Sequence, residues 1–243
     1  MKKTLTLTVM TLLAGAMSGY SQGQCTLADT TSFAIQVWGP QSLVASTVAV
    51  TYGGKTVYEV QGDSSNPNNT WIAAGGSATA TYTGAAAGSG YTVELLAAPG
   101  SGDALTSLVP VPAANGGIVT TWYTGSAATG FGGFWQTGQT VTLGYTGAAT
   151  VAIAAWNNEG GTVSSLAAAE AAGDPWGIST LGSITLTTAP TAPGELPIPG
   201  NPAQTTDYIS GGIEGFSMGV VPEPSTIALG VIGASAFLFR RRK

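Results

Sequence analysis

Acidic side chains are the groups in this sequence best suited to acid–base chemistry. A glycosidase needs two carboxylates that face each other across a cleft, and the acidic residues available for such a pair are Glu59, Glu94, Glu159, Glu170 and Asp174. Their spacing along the chain selects no pair. Sparse carboxylates on a β-rich domain are commonly solubilising surface groups, so we predict no catalytic residues and keep a glycoside-active enzyme as the weaker alternative.

Histidine is absent from the sequence, and this excludes whole classes of mechanism. The 243 residues contain no His and a single cysteine, Cys25. An imidazole base, a histidine metal ligand and an intramolecular disulfide are therefore all excluded. The sequence predicts no cofactor.

One oxygen-rich stretch, residues 63–69, places polar side chains at the alternate positions of a Ca²⁺-binding loop. It lacks the central glycine and the closing glutamate of a helix-loop-helix calcium site. We therefore interpret it as a solvated hairpin loop and predict no metal site.

Aromatic side chains are better candidates for ligand binding, because aromatic rings on a β surface commonly stack on sugar rings. The candidates for a carbohydrate-binding surface are Trp71, Trp122 and Trp135, and residues 131–135 form the best candidate for an exposed aromatic loop. The competing interpretation places most of these rings in the core, since a β domain of this size needs several large inward side chains.

Basic residues are confined almost entirely to the two ends of the chain. Lys55 is the only one of the seven that lies outside residues 1–3 and 240–243. A nucleic-acid partner is excluded, because phosphate binding needs a clustered basic face. Between Cys25 and Val221 one basic residue stands against eleven acidic ones, so this stretch carries a net charge of −10.

The N-terminal 21 residues have the three-part layout of a secretory signal peptide. Lys2 and Lys3 precede an apolar run at residues 5–17, and small residues follow at Gly19 and Ser21. The predicted cleavage after Ser21 implies the Sec machinery and signal peptidase as partners, with a bond near Gly23 as the alternative. Lipidation at Cys25 is disfavoured, because Gln24 stands where lipoprotein signals carry a small residue.

The C-terminal residues 221–243 also follow a specific order. The triplet Pro222, Glu223 and Pro224 precedes a mainly apolar run at residues 226–239, and the chain ends in Arg240, Arg241, Arg242 and Lys243. This order resembles the PEP-CTERM sorting signal of exported bacterial proteins. The resemblance implies recognition of the triplet by an exosortase, a membrane protease-transpeptidase, and transfer of the protein to the cell surface or the extracellular matrix.

The charges at the two ends also predict orientation. Basic flanks stay cytoplasmic, so both hydrophobic segments leave the stretch between them on the exported side. A helix over residues 226–239 would be roughly 21 Å long against a hydrocarbon core of about 30 Å, a short span suited to transient retention in the inner membrane before processing. An ordinary C-terminal anchor that is never cut is the alternative.

Residues 22–188 have the alternating pattern of a mainly β domain. Residues 47–52 and 55–60 predict a hairpin around Gly53 and Gly54, and further strands are predicted at residues 91–95, 118–123, 140–145, 151–156 and 183–187. One helix is predicted at residues 164–172, ending at Gly173. We predict a single β-sandwich, jelly-roll or immunoglobulin-like, followed at residues 189–220 by a Pro/Gly-rich linker or edge segment.

Two functions fit these features. The first is an exported surface or matrix protein with a non-catalytic structural domain, sorted through its tail. The second is a binding module for extracellular polysaccharide.

Overall fold

The computed structural model describes residues 22–27, 35–41, 47–66, 68–69, 72, 77–124, 131–136, 139–188, 194–195 and 212–219. Within these ranges the protein is mainly β, as predicted. The predicted signal peptide at 1–21, the membrane segment at 226–239 and most of the segment 189–211 lie outside the described residues. None of the described helices is long and apolar enough to cross a membrane.

The strands are β1 (Gly23–Leu27), β2 (Val37–Trp38), β3 (Val48–Tyr52), β4 (Lys55–Glu59), β5 (Tyr91–Pro99), β6 (Val109–Pro110), β7 (Ile118–Val119), β8 (Gln139–Leu143), β9 (Gly147–Asn157), β10 (Trp176–Ile178), β11 (Gly182–Thr188), β12 (Gly194–Glu195) and β13 (Phe216–Ser217); helix α1 spans Leu166–Ala172. Among the described residues, nine strands form one sheet in the order β12-β1-β11-β9-β5-β6, with β7, β8 and β10 paired onto its strands. Strands β3 and β4 form a separate hairpin, and β2 pairs with β13.

The long antiparallel pair β5 and β9 is the centre of the sheet. Their register runs from Tyr91 opposite Asn157 to Pro99 opposite Ala149. The other edge of β9 is shared, because its first half pairs with β11 and its last residues pair with β10. The sheet then continues from β11 through β1 to β8.

Both faces of the central pair are buried. Val93, Leu95, Val151 and Ile153 point into one apolar cluster, and the alternate residues, among them Ala152, point into a second. A two-sheet sandwich predicts that alternate residues of each strand face solvent, and β5 and β9 lack this alternation. The sequence of β9 explains the packing, because its alanines form a flat face against which other elements can lie closely.

The alanine face of the sheet is covered by the two local elements that the sequence predicts. The hairpin β3–β4 contributes Val50 and Val57, and helix α1 contributes Leu166 and Ala169. Both elements are confirmed with small differences in their ends.

The local signals that produce these two elements are visible in the backbone. Gly53 and Gly54 have φ values of 55° and 79° and close a two-residue loop, since Tyr52 pairs directly with Lys55. Ser165 accepts a hydrogen bond from the N–H of Ala168 and caps the start of α1. Gly173 ends the helix in the left-handed conformation with φ of 78°.

Gly117, just before β7, lies very close to the backbone of Val111. A Cβ atom at this position would lie 2.0 Å from the carbonyl oxygen of Val111. We expect Gly117→Ala to lower the free energy of unfolding by about 2–3 kcal/mol, because the backbone has to shift to relieve the overlap. Chemical denaturation measures the effect.

Gly88→Ala is the matched control for this substitution. A Cβ atom at Gly88 would have no neighbour within 4 Å, and its φ is not in the positive range. We expect this variant to be neutral or slightly stabilised. Equal decreases in the free energy of unfolding of the two variants would contradict the close contact between Gly117 and the Val111 carbonyl.

Candidate functional site

The segment 212–219 is the last described part of the chain, and it is bound on both sides. On one side Phe216 and Met218 donate their N–H groups to the carbonyls of Gln36 and Trp38 beside and within β2. On the other side Ser217 exchanges two bonds with Val60, donating its N–H and accepting the Val60 N–H at Oγ, both at 2.9 Å.

The side chains of this segment are core residues. Ile213, Phe216 and Met218 are fully buried. The segment ends at Gly219, whose N–H donates to the carbonyl of Trp176 at 2.8 Å. This part of the predicted linker or edge segment at 189–220 is therefore an integral strand of the domain.

A buried carboxyl group lies close to this segment. Glu59, at the end of β4, is fully buried; its Oε1 accepts from Gln61 Nε2 at 2.8 Å and its Oε2 accepts from the N–H of Ile178 at 3.0 Å. Burial raises the pKa of Glu59 well above the usual value for glutamate, and the two hydrogen bonds only partly oppose this. Glu59 therefore joins β4 to β10 as a hydrogen-bonded group shielded from solvent.

A second buried acid follows at the start of the oxygen-rich stretch. Asp63 is 2% exposed, and burial together with the nearby charge of Glu214 raises its pKa to about 7. Hydrogen bonds from Gly215 and Asn69 lower it only partly. Burial also raises the pKa of Glu214. Glu59, Asp63 and Glu214 together are called the acidic cluster below.

Most described residues of the stretch 63–69 are buried, which corrects its interpretation as a solvated loop; Ser65 is exposed and Asn68 is half-buried. Asp63, Ser64, Asn66 and Asn69 are all less than one-tenth exposed. The physical reason is that most of their polar atoms have hydrogen-bond partners within the protein, although the Asn66 amide nitrogen has none among the described residues. Ser64 Oγ donates to Gln36 Oε1 at 2.6 Å, and Asn66 Oδ1 accepts from the N–H of Asn68 at 2.9 Å.

Metal binding gains no support in the described part of the chain. No group of three or more His, Cys, Asp or Glu side chains is arranged there to hold an ion.

The carboxylates named for glycoside hydrolysis are spread over different parts of the domain. Glu59 belongs to the acidic cluster, whereas Glu94 lies beside the start of α1, where it accepts from the N–H of Leu166. Burial raises the pKa of Glu94 to about 7, and both Glu94 and Glu170 raise the pKa of Tyr52, after burial itself. Glu159 lies on an exposed turn, hydrogen-bonded to Asn157.

Two of the three tryptophans predicted to bind carbohydrate belong to the core. Trp122 is 7% exposed and donates from Nε1 to the carbonyl of Tyr91 at 2.8 Å, and Trp135 is fully buried. Their rings meet edge to face at 6.5 Å. Neither ring presents a face to solvent, so these two residues do not form the predicted stacking surface. Trp71 lies outside the described residues.

The predicted aromatic loop at 131–135 is exposed only at its first residue. Phe131 is 41% exposed and its ring lies 6.1 Å from that of Tyr123, whereas Phe134 and Trp135 are fully buried. Gly133, at φ of 87°, turns the backbone inward so close to Val37 that a side chain would overlap its carbonyl.

A comparison with protein families matches residues 220–243, which begin immediately after Gly219. The chain carries a PEP-CTERM protein-sorting motif. This supports exosortase-dependent sorting of a secreted protein, with Pro222, Glu223, Pro224 and the basic residues 240–243 all inside the matched region. Comparisons with curated proteins and with solved structures give no significant match to this chain.

Gly219, the last described residue, directly precedes the PEP-CTERM motif, and the first described strand lies close to the predicted cleavage site. Strand β1 begins at Gly23, two residues after the predicted cleavage site at Ser21. A Cβ atom at Gly23 would overlap the carbonyl oxygen of Tyr145. Cys25 is fully buried in β1, and burial raises its pKa to about 12. A lipid on this sulfur is incompatible with its place in the core.

Sequence reasoning missed most of the residues that surround the acidic cluster. Gln36, Gln61, Tyr82 and Ser217 come from four separate parts of the chain and carry no local pattern. The one available signal was the density of amide and hydroxyl residues around Asp63. Comparing residues 63–69 with a Ca²⁺-binding loop detects this signal, but it led to the interpretation of a solvent-exposed loop.

Proposed function

We propose that this protein is an exported bacterial surface or extracellular-matrix protein that is processed by an exosortase at its C-terminal motif. Its β domain is structural and non-catalytic in this proposal. The observation that carries it is the PEP-CTERM match at residues 220–243, directly adjoining the last core residue.

The proposed route has three steps. Signal peptidase releases residues 1–21, the apolar run at 226–239 holds the chain in the inner membrane, and exosortase cuts near Glu223. Six residues separate Gly219 from Thr226 at the start of that run, and the seven Cα–Cα steps between these two residues span at most about 25 Å when the chain is fully extended. The folded domain would thus stay close to the membrane surface until it is released.

A non-catalytic domain is consistent with the placement of its carboxyl groups. Glu59 is occupied by two hydrogen bonds away from solvent. Asp63 and Glu94 are also less than one-tenth exposed. General acid–base catalysis requires a carboxyl group within hydrogen-bonding reach of substrate, and burial of this kind favours a structural role.

Intact-mass analysis of the protein recovered from its own host tests the sorting proposal. We expect a mature species that lacks residues 1–21 and Arg240–Lys243. Glu223→Ala should abolish release and leave a membrane-bound species with its tail, because the substitution removes the only charge of the triplet that the exosortase is proposed to recognise.

Glu159→Ala is the control, since it removes an equivalent exposed carboxylate within the domain. It should be released normally. A mature species that keeps Arg240–Lys243, or normal release of the Glu223→Ala variant, would contradict the proposal.

A further inference from the structure

A cavity of about 250 Å³ opens beside the acidic cluster, between the end of β2 and the oxygen-rich stretch. Its lining includes Trp38, Tyr82, Ser64, Ser65 and Asn66. The cavity is smaller than the roughly 300–1,000 Å³ of sites for drug-sized ligands. Its size suits a single ring.

One wall of the cavity is an aromatic pair held in a fixed position. The rings of Trp38 and Tyr82 are stacked with their centroids 4.9 Å apart and an angle of 4° between their planes. The Tyr82 hydroxyl donates to the carbonyl of Gly62, which fixes the ring at its polar end. Because Trp38 covers one face of the half-buried Tyr82 ring, the remaining accessible surface lies on the opposite face and the edges.

The lining also carries polar groups, some of which have no partner among the described residues. The amide nitrogen of Asn66 and the indole nitrogen of Trp38 are buried without a hydrogen bond there. The Asn66 amide is held in orientation, because its Oδ1 already accepts from Asn68. An unpaired buried donor costs about 1–3 kcal/mol, and a ligand oxygen that accepted from either group would recover part of this.

The described lining of the cavity offers no cationic group to pair with an anionic ligand. The described lining residues are all uncharged, and Asp63 directly precedes Ser64 in the acidic cluster. The stretch from Cys25 to Val221 carries a net charge of −10. A neutral ligand with one apolar face for Tyr82 and several hydroxyl oxygens for Asn66 and Trp38 fits this chemistry best.

We propose that this cavity binds one pyranose unit of a neutral polysaccharide, stacked on Tyr82 and hydrogen-bonded by Asn66. The site differs from the surface predicted from Trp71, Trp122 and Trp135, and it does not depend on sorting by the tail. A single small subsite binds weakly, with a dissociation constant near the millimolar range. Many copies held on one surface would bind a long chain much more tightly.

Affinity electrophoresis of the full chain through gels containing soluble polysaccharide tests this proposal. The probes are three neutral polymers, dextran, galactomannan and arabinoxylan, with polygalacturonate as the anionic comparison. The detergent must be a polyoxyethylene ether, because a glycoside detergent would occupy the same site. We expect retardation by at least one neutral polymer and none by polygalacturonate.

Two substitutions locate the binding. Tyr82→Ala removes the stacking face and Asn66→Asp removes the free donor while keeping the oxygen that caps Asn68, and each should weaken retardation at least about tenfold. Tyr58→Ala is the control, since it removes a ring that is 39% exposed on β4. Thermal unfolding of each variant verifies folding, and Asn66→Asp decides the outcome if Tyr82→Ala does not fold.

The proposal is overturned by either of two results. These are the absence of retardation by all three neutral polymers, whether or not polygalacturonate retards the chain, and retardation that Asn66→Asp leaves unchanged. Neither of them bears on the sorting proposal, which is measured by the mass of the processed protein.

Discussion

We expect a chain ending at Val221 to unfold at the same temperature as the protein released from its host, and a chain ending at Gly211 not to fold. The second truncation removes Ile213, Phe216 and Met218, all fully buried. Each such loss costs about 2–5 kcal/mol, and the total matches the 5–15 kcal/mol that holds a typical domain together. Both chains start at Gln22, and circular dichroism with thermal unfolding measures the difference.

A point substitution tests the same strand without changing the length of the chain. Phe216→Ala should lower the free energy of unfolding by about 3–5 kcal/mol. Phe131→Ala, the same truncation at an exposed position, should lower the free energy of unfolding much less. A stable, cooperatively folded chain ending at Gly211 would show that residues 212–219 are dispensable, and would remove the boundary at Gly219 on which the processing route depends.

The second large effect is an unusual dependence of stability on pH. Burial raises the pKa values of Glu59, Asp63, Glu94, Glu170 and Glu214 above those of exposed carboxyl groups. Between the unfolded-state and folded-state values, the folded protein binds more protons than the unfolded chain. Stability is therefore greatest below about pH 4 and is lost as pH rises towards about 7.

The size of this effect can be estimated from Asp63. Its pKa rises from 3.8 to about 7, and at about 1.4 kcal/mol per pH unit this shift corresponds to about 4 kcal/mol. About 2.5 kcal/mol of this falls between about pH 8 and about pH 5. At roughly 2–4 °C per kcal/mol for a domain of this size, Asp63 alone should raise the Tm by about 5–10 °C over that range. Differential scanning calorimetry across this range measures it.

Asp63→Asn should flatten the pH profile, because the asparagine cannot titrate. A Tm that falls steadily on acidification from about pH 8 to about pH 5 would contradict the burial of these carboxyl groups in their acidic form.

The elements that could be predicted from the sequence are those whose signals are local. Gly53 and Gly54 mark the hairpin, and Ser165 and Gly173 mark the two ends of α1. Strand β13 has no such signal, because it is two residues long and follows a proline-rich stretch. It is a strand only because β2 and residues 60–62 already stand on either side of it.

The candidate sites show the same division between local and long-range information. The sorting triplet is continuous in sequence and could be identified without a structure. The cavity could not, because it brings together Trp38, Asn66 and Tyr82 from separate segments. The burial of Trp122 and Trp135 also depends on tertiary packing, since nothing in the neighbouring residues distinguishes a core ring from a surface ring.

The hairpin β3–β4 also affects how long the mature protein would survive outside the cell. If the signal peptide and the basic tail are removed, Lys55 is the only Lys or Arg left in the mature protein. Trypsin-like proteases then have one bond to cut, between Lys55 and Thr56. Both residues pair with β3, and Thr56 Oγ1 lies 2.8 Å from Thr51 Oγ1. The hydrogen bonds between β4 and β3 must first open by local unfolding before a protease can bind the Lys55–Thr56 bond in its active site. A secreted domain built in this way would resist cleavage by extracellular proteases that cut after Lys or Arg.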